Sequence, residues 1–372
     1  MIAALLVIFV TTRKELVRRL PLNLSNVAQQ LGGNSQQSDR GLQHRFTPHN
    51  ATMVKHVRFL KVHKCASSSV QNMLFRFALR HNLTIALPKG LNYIANVREM
   101  IPPPSNHAHY DVFAIHTIYS KSWFDTMPVP SDAVNIAIVR HPRDRMISAA
   151  YKYRDGGVKY LRRIPNDTFI HNLLTYPGKY DNGWFTPTRN TMARDFGFSR
   201  HIKPKDISKI NTYLKFLERE FKLVLIVERF HESLVLLKRK LNWNLEDIIY
   251  RVLHSYEHEN VSLSNEDLRR MKQLNFLDYA VYQHFAKVFD EKIRNEPNDF
   301  REEVQHLHET IRITSAFCDD NTRQEHKIKK SRWNKKFTLK RSECDLMKIK
   351  ERPFISDLKK YQEKERSIAV RP

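Results

Sequence analysis

The stretch FLKVHKCASSSVQNMLFRF, residues 59–77, decides how this chain is read. It opens as an apolar run, passes through Lys64 and the hydroxyl-rich turn Ser67-Ser68-Ser69, and continues with Val70, Met73, Leu74 and Phe77 at helical spacing. A strand, a turn and a helix start in that order make an anion cradle. The helix N-terminus points free N–H groups at one phosphate-sized group, and a Lys and several hydroxyls converge on it. A second segment, NIAIVRHPRDRMIS at 135–148, ends its apolar run in Arg140 and places Ser148 eight residues later, on the following helix. Two anion sites on one parallel sheet suit a nucleotide phosphorylated at both ends.

Four short apolar runs have the length and composition of buried strands: Val57–Val62, Asp111–Ile115, Val134–Val139 and Leu223–Val227. The last three are followed by His116, Arg140 and Glu228, and the first by His63 and Lys64. Helical patterns lie between them, and 231–313 reads as helical, with Phe276–Ile293 as core. Alternating strands and helices predict an α/β fold, a P-loop-like parallel sheet flanked by helices with a helical C-terminal part. Ligands of such sheets bind beyond the carboxyl ends of the strands, where these residues cluster.

The chain has 372 residues, 41% hydrophobic and 27% charged, which is a globular composition. Its net charge of +24 points to a polyanionic ligand or partner or to a basic solvated surface. No helix-turn-helix, zinc-finger or RNA-binding signature accompanies the charge, so nucleic acid is not expected as a partner. The loop at 63–69 lacks the G-x-x-x-x-G-K-S/T frame, which argues against an ATP-dependent, Mg²⁺-assisted kinase. A non-enzymatic polyanion-binding protein is the other alternative class.

Residues 1–19 read as a short hydrophobic signal-anchor remnant, Ile2–Val10, with the basic flank Arg13, Lys14, Arg18 and Arg19. Residues 20–54 are polar and aperiodic, a stem or linker. Residues 55–318 form the expected catalytic domain, and 319–372 a basic C-terminal region, with clusters such as Lys327, Lys329, Lys330 and Arg332, expected either to be solvated and partly disordered or to contact membrane phosphates or an acidic partner. Asn-x-Ser/Thr sequons stand at Asn23, Asn50, Asn82, Asn166 and Asn260. With the apolar N-terminus they predict a glycosylated protein of the secretory pathway. In that oxidising lumen Cys318 and Cys344 are expected to bridge and Cys65 to stay a free thiol. No metal-ligand spacing is visible, so no metal is expected.

The pattern HKCASSSVQNMLFRF resembles the HKTASST phosphosulfate loop of the galactose-3-O-sulfotransferases, a family that includes galactosylceramide sulfotransferase. IVRHPRDRMISAAYKY, residues 138–153, resembles that family's R-D-P…S strand–helix. LVLIVERFHESLVLLKRKLNWNLEDIIY at 223–250 and NFLDYAVYQHF at 275–285 also look like family segments. The resemblance implies a PAPS-dependent sulfotransferase fold, with PAPS (3′-phosphoadenosine 5′-phosphosulfate) as the sulfate donor and no metal. It implies that Lys64, Cys65, Ala66, Ser67, Ser68 and Ser69 hold the 5′-phosphosulfate, that Arg140 and Ser148 hold the 3′-phosphate, and that Arg189, in Arg189-Asn190, contacts nucleotide or acceptor. His116 is the expected base for the acceptor hydroxyl, with His63 as second base or orienter and Lys64 as stabiliser of the leaving oxygen. Cys65 and Ser69 stand where the family usually has Thr, and Cys65 donates only weakly, which implies a looser hold on the donor.

The implied acceptor is a terminal β-galactose of a glycolipid or glycoprotein glycan, sulfated at its 3-hydroxyl. Glycosaminoglycan sugars are the rival. The segment 156–190, with Tyr180 and Trp184, is where acceptor selection is expected. The implied setting is the Golgi membrane, as a single-pass type II protein with its catalytic domain in the lumen.

Overall fold

The computed structural model describes residues 52–104, 107–181, 186–251 and 261–369. The signal-anchor segment, most of the stem, Asn23, Asn50, Asn260 and Trp184 lie outside the described residues.

Strand β1 (Val57–Leu60) is buried at every position and leads through the turn at 61–66 into α1 (Ser67–Arg80). Val70, Met73, Leu74 and Phe77 are fully buried on α1, the stripe that their spacing predicts. Strand β2 is only Val112–Phe113, β3 is Val134–Val139, and α2 follows from Pro142 to Asp155. The short α3 (Thr191–Asp195) and α4 (Ile207–Glu220) precede β4 (Leu223–Ile226). The helices α5 (Phe230–Leu241), α6 (Asn265–Leu274), α7 (Phe276–Arg294) and α8 (Phe300–Asp319) then follow. The chain closes with a hairpin, β5 (Glu325–Ile328) and β6 (Phe337–Lys340), then α9 (Arg341–Lys348) and α10 (Glu351–Ala369).

The four-stranded sheet is parallel throughout, in the order β2-β1-β3-β4. Val57 pairs with both Val112 and Val134, and Ile136 pairs with Leu223, so the carboxyl ends are nearly level. The chain moves to one side of β1 for β2 and to the other for β3 and β4. The switch point therefore falls between β1 and β3, where the loops after those strands part and leave a crevice. The Lys64 loop and the Arg140 turn flank that crevice.

Three strands are shorter than the apolar runs that announce them. β1 stops at Leu60, β2 spans two residues of the expected five, and β4 stops at Ile226 with Val227 already in a 3₁₀ turn. Each run remains apolar past the ladder because its last residues still face the core: Val62, Ala114 and Ile115 are fully buried.

The C-terminal region departs most from expectation. It is folded against α1 instead of being solvated. Leu346, Met347, Phe354, Ile355 and Leu358 are buried, and Phe354 packs edge-on against Phe75 of α1. Glu343 bonds Arg76 and Arg80 of α1, and Asn72 donates to the Leu346 carbonyl. The Lys and Arg residues that suggest a solvated tail occupy the outer faces of this hairpin and helix pair, with Lys327, Lys329, Lys330 and Arg332 exposed. Long basic side chains obscured an apolar stripe at helical spacing.

Cys318 at the end of α8 and Cys344 on α9 are disulfide-bonded, with a Cα–Cα distance of 5.4 Å and a sequence separation of 26. Closing a loop of that size stabilises by roughly 3–4 kcal/mol through the unfolded chain. The Cys318→Ser/Cys344→Ser variant is expected to melt several degrees lower than the parent in calorimetry, and the parent to fall to the same value in reductant. Equal melting with and without reductant would remove the bond's contribution.

Candidate active site

The turn after β1 works through its backbone. Lys64 and Ala66 have positive φ values of 62° and 51°, and Ala66 caps α1 in a left-handed conformation without a side-chain bond. With the cap position a mere alanine, the N–H groups of the first turn stay free of any capping side chain. The Ser69 N–H is spent on the Ala66 carbonyl, and Ser67 Oγ donates to the Val62 carbonyl. Ser67 thus braces the loop. Ser68 Oγ accepts from Lys61 Nζ at 3.3 Å.

Lys64 lies among cations. Burial is the main cause that pulls its pKa down to about 8, and Lys152 and Arg140 push it the same way. Arg140, just past β3, donates to the Lys64 carbonyl at 3.5 Å and so ties the two strand-end segments together across the switch point. Ser148 is buried on α2, in the helix that Arg140 leads into. A Lys64 ammonium disfavoured by burial and by the cations beside it is suited to a multiply charged anion, which relieves that repulsion. The donor set therefore fits a phosphate-bearing nucleotide.

Cys65 is fully buried, and burial pushes its thiol far above the ordinary range. Its Sγ faces the His63 carbonyl at 3.5 Å. The thiol packs within the core beneath the loop.

The two histidines stack, ring centroids 4.1 Å apart and 18° from parallel, yet their surroundings differ. His116 is buried, and its Nδ1 donates to the Lys61 carbonyl at 2.9 Å. That leaves Nε2 as an acceptor, and Lys61 Nζ lies 2.9 Å from it. Burial, then Lys61 and His63, hold the His116 pKa well below the usual imidazole value. His63 meets Asp195 instead. Its N–H donates to Oδ2 at 2.7 Å, and Nδ1 donates to the same carboxylate at 2.9 and 3.0 Å. The carboxylate fixes the tautomer, and Nε2 is left as the lone-pair nitrogen.

Lys61, Asp195 and Glu351 are the residues that the sequence did not single out. Lys61 is 1% exposed and bridges Glu351 Oε1 at 3.1 Å, Ser68 and His116. Burial lowers its pKa, and Glu351 opposes that. Lys61 reads from sequence as a polar interruption in a strand, and that interruption is the one signal that was available. Asp195 belongs to α3, and Glu351 begins α10 in the region expected to be a tail.

Glu228 and Arg189 stand in different surroundings. Glu228, past β4, accepts from the His141 N–H at 2.8 Å and from Tyr282 at 3.2 Å, so it caps α2 and braces the Arg140 turn. Arg189 donates from Nε to Asp181 at 2.9 Å and lines a cleft of about 380 Å³ with Thr186, Asn190, Arg194, Phe198 and Gln273. None of the strand-end residues lines that cleft. Nearby, Arg145 of α2 pairs with Asp278 of α7 at 3.1 Å, both fully buried, and holds the 187–188 carbonyls.

The sequence profile of the galactose-3-O-sulfotransferase family matches residues 3–341. The chain belongs to the galactose-3-O-sulfotransferase family. It is 31% identical over 281 residues to galactose-3-O-sulfotransferase 2 of Mus musculus, covering 71% of this chain and 70% of that one. It is 33% identical to the same enzyme of Sus scrofa, over 71% of this chain and 69% of that one. It is also 31% identical to galactosylceramide sulfotransferase of Homo sapiens, over 64% of this chain and 58% of that one. As a member of the galactose-3-O-sulfotransferase family, the protein is a carbohydrate sulfotransferase, and its parallel sheet flanked by helices is the fold expected for one.

Proposed function

We propose that the protein transfers the sulfuryl group of PAPS to the 3-hydroxyl of a terminal β-galactose on a glycolipid or glycoprotein glycan. The observation that carries this reading is the pairing, at one switch point, of a cationic two-part cradle with a carboxylate-held imidazole. The names of the relatives support galactose as the sugar.

In this reading Lys64 and the first-turn N–H groups hold the 5′-phosphosulfate, and Arg140 with Ser148 holds the 3′-phosphate. The sugar hydroxyl gives its proton to His63 Nε2 as its oxygen bonds to sulfur. The bridging S–O bond breaks, and 3′,5′-ADP leaves with the electron pair on its phosphate oxygen. Asp195 orients His63 and stabilises the imidazolium. Lys64, and Lys61 beside it, balance charge on the leaving oxygen. The base is assigned to His63 in preference to His116, the first choice from sequence, because both nitrogens of His116 are engaged. Arg189 is left as an acceptor-side residue, with its cleft as the place where the sugar's neighbours are read.

A Golgi location as a single-pass type II protein with a luminal catalytic domain remains part of the proposal. The apolar run that would anchor it lies outside the described residues, and among those described no helix is long and apolar enough to cross a membrane. Asn82 and Asn166 are exposed and available for glycans.

The test is an acceptor panel with ³⁵S-labelled PAPS. Galactosylceramide, lactosylceramide or N-acetyllactosamine is expected to take label at the galactose 3-position. Label on heparan or chondroitin chains with none on galactosides would overturn the acceptor, and no label on any acceptor would overturn the reaction.

A further inference from the structure

We propose that His56, His109 and Asp111 form a Zn²⁺ site at the amino ends of the sheet, with Asp132 holding one of the ligands. His56 immediately precedes β1, Asp111 precedes β2 and Asp132 lies just before β3, so the group sits at the opposite end of the strands from Lys64 and His63.

The ligand atoms are already spaced for a metal. His56 Nε2 lies 3.3 Å from Asp111 Oδ1, and His109 Nε2 lies 3.5 Å from the same oxygen. All three ligand atoms fall within 4.8 Å of one another. A tetrahedral Zn²⁺ with bonds of about 2.0–2.1 Å holds neighbouring ligand atoms about 3.3–3.4 Å apart. Two imidazoles and a carboxylate are a donor set that suits this ion.

The hydrogen bonds around the group fix which atoms face inward. His56 Nδ1 donates to Asp132 Oδ1 at 2.7 Å, which makes Nε2 the lone-pair nitrogen. Asp111 Oδ2 is taken by the Thr84 N–H at 2.7 Å and the Thr84 hydroxyl at 2.8 Å, which leaves Oδ1 for the cluster. A lone pair on Nε2 and a carboxylate oxygen facing each other at 3.3 Å repel unless a cation lies between them. The Asp132–His56 contact is the carboxylate–histidine–metal arrangement that fixes the tautomer and orients a ligand.

The scaffold is rigid where this matters. The Asp111 carbonyl accepts from the Val57 N–H, and the His56 carbonyl from the Val134 N–H, so two ligands sit on backbone locked into the sheet. His109 is 44% exposed, which gives the ion a route in and leaves room for water as fourth ligand. At this end of the sheet the metal is structural. It clamps the segments that lead into β1, β2 and β3.

The experiment is a calorimetric Zn²⁺ titration of the tag-free chain after chelator treatment and dialysis. One equivalent is expected to bind, and the melting temperature to rise with it. His109→Ala, at an exposed position where folding is not at stake, is expected to lose at least tenfold in affinity and to abolish the thermal shift. Asp132→Asn is expected to weaken binding about 10–100-fold while the ligands remain in place. Binding of no equivalent, or a His109→Ala variant that binds and melts like the parent, would overturn the site. In that case the three side chains form a proton-bridged ion-pair cluster.

Discussion

His63→Ala is expected to lose about 10²–10⁴-fold in kcat, the usual contribution of a positioned general base, while 3′,5′-ADP still binds at close to parental affinity. The side chain is only partly buried, and its Nε2 has no hydrogen-bond partner among the described residues, so the loss is chemical and not a failure to fold. Asp195→Asn is expected to lower kcat by a smaller factor, because an amide can present either its oxygen or its nitrogen to Nδ1 and no longer fixes the imidazole tautomer. A merely structural Asp195 would leave kcat unchanged in the variant that still folds. His116→Ala supplies the contrast. Its imidazole accepts from Lys61 and is depressed by burial, so its removal disturbs the Lys61–Glu351 contact without removing the base. Should His116→Ala abolish turnover with the nucleotide still bound, and His63→Ala retain it, the two roles are exchanged.

Lys64→Ala is expected to cost at least about a hundredfold in turnover, the scale for removing one charge contact made in the transition state. The same residue predicts a proton effect. In the empty site burial and the neighbouring cations hold Lys64 down to about 8, so near pH 8 about half of the molecules carry it neutral. A bound phosphosulfate or phosphate favours the ammonium and raises that value. Binding therefore takes up a proton, and affinity falls as pH rises above 8. Titrating 3′,5′-ADP at pH 8 in two buffers with different ionisation heats reads the uptake directly. Uptake is expected for the parent and not for Lys64→Ala. Identical heats in both buffers for the parent would place the anion away from Lys64.

The disagreements between sequence and structure share a cause. Local signals found β3 to the residue and β1 to within two, because a buried strand must be apolar along its length. The same reasoning overran β2, where the apolar residues after Phe113 serve the core without joining the ladder. It missed the C-terminal helices because Lys and Arg on their outer faces outweigh the buried stripe in any composition count.

The chain by itself determined the parallel α/β sheet, the Lys64 loop after β1, the Arg140 turn after β3 and the family. All four rest on short segments whose meaning is carried by neighbours in sequence. Tertiary structure decided the different surroundings of the two histidines. His63 and His116 look alike in sequence, each standing shortly after an apolar run. They differ because α3 brings Asp195 to one, while the parallel register of β1 and β2 brings Lys61 to the other. Glu351 reaches Lys61 only because α10 packs on α1, and the His56–His109–Asp111 group exists only because β1 and β2 begin side by side. Such contacts join residues far apart along the chain. No spacing rule encodes them, since distance between side chains is set by the packing of whole elements.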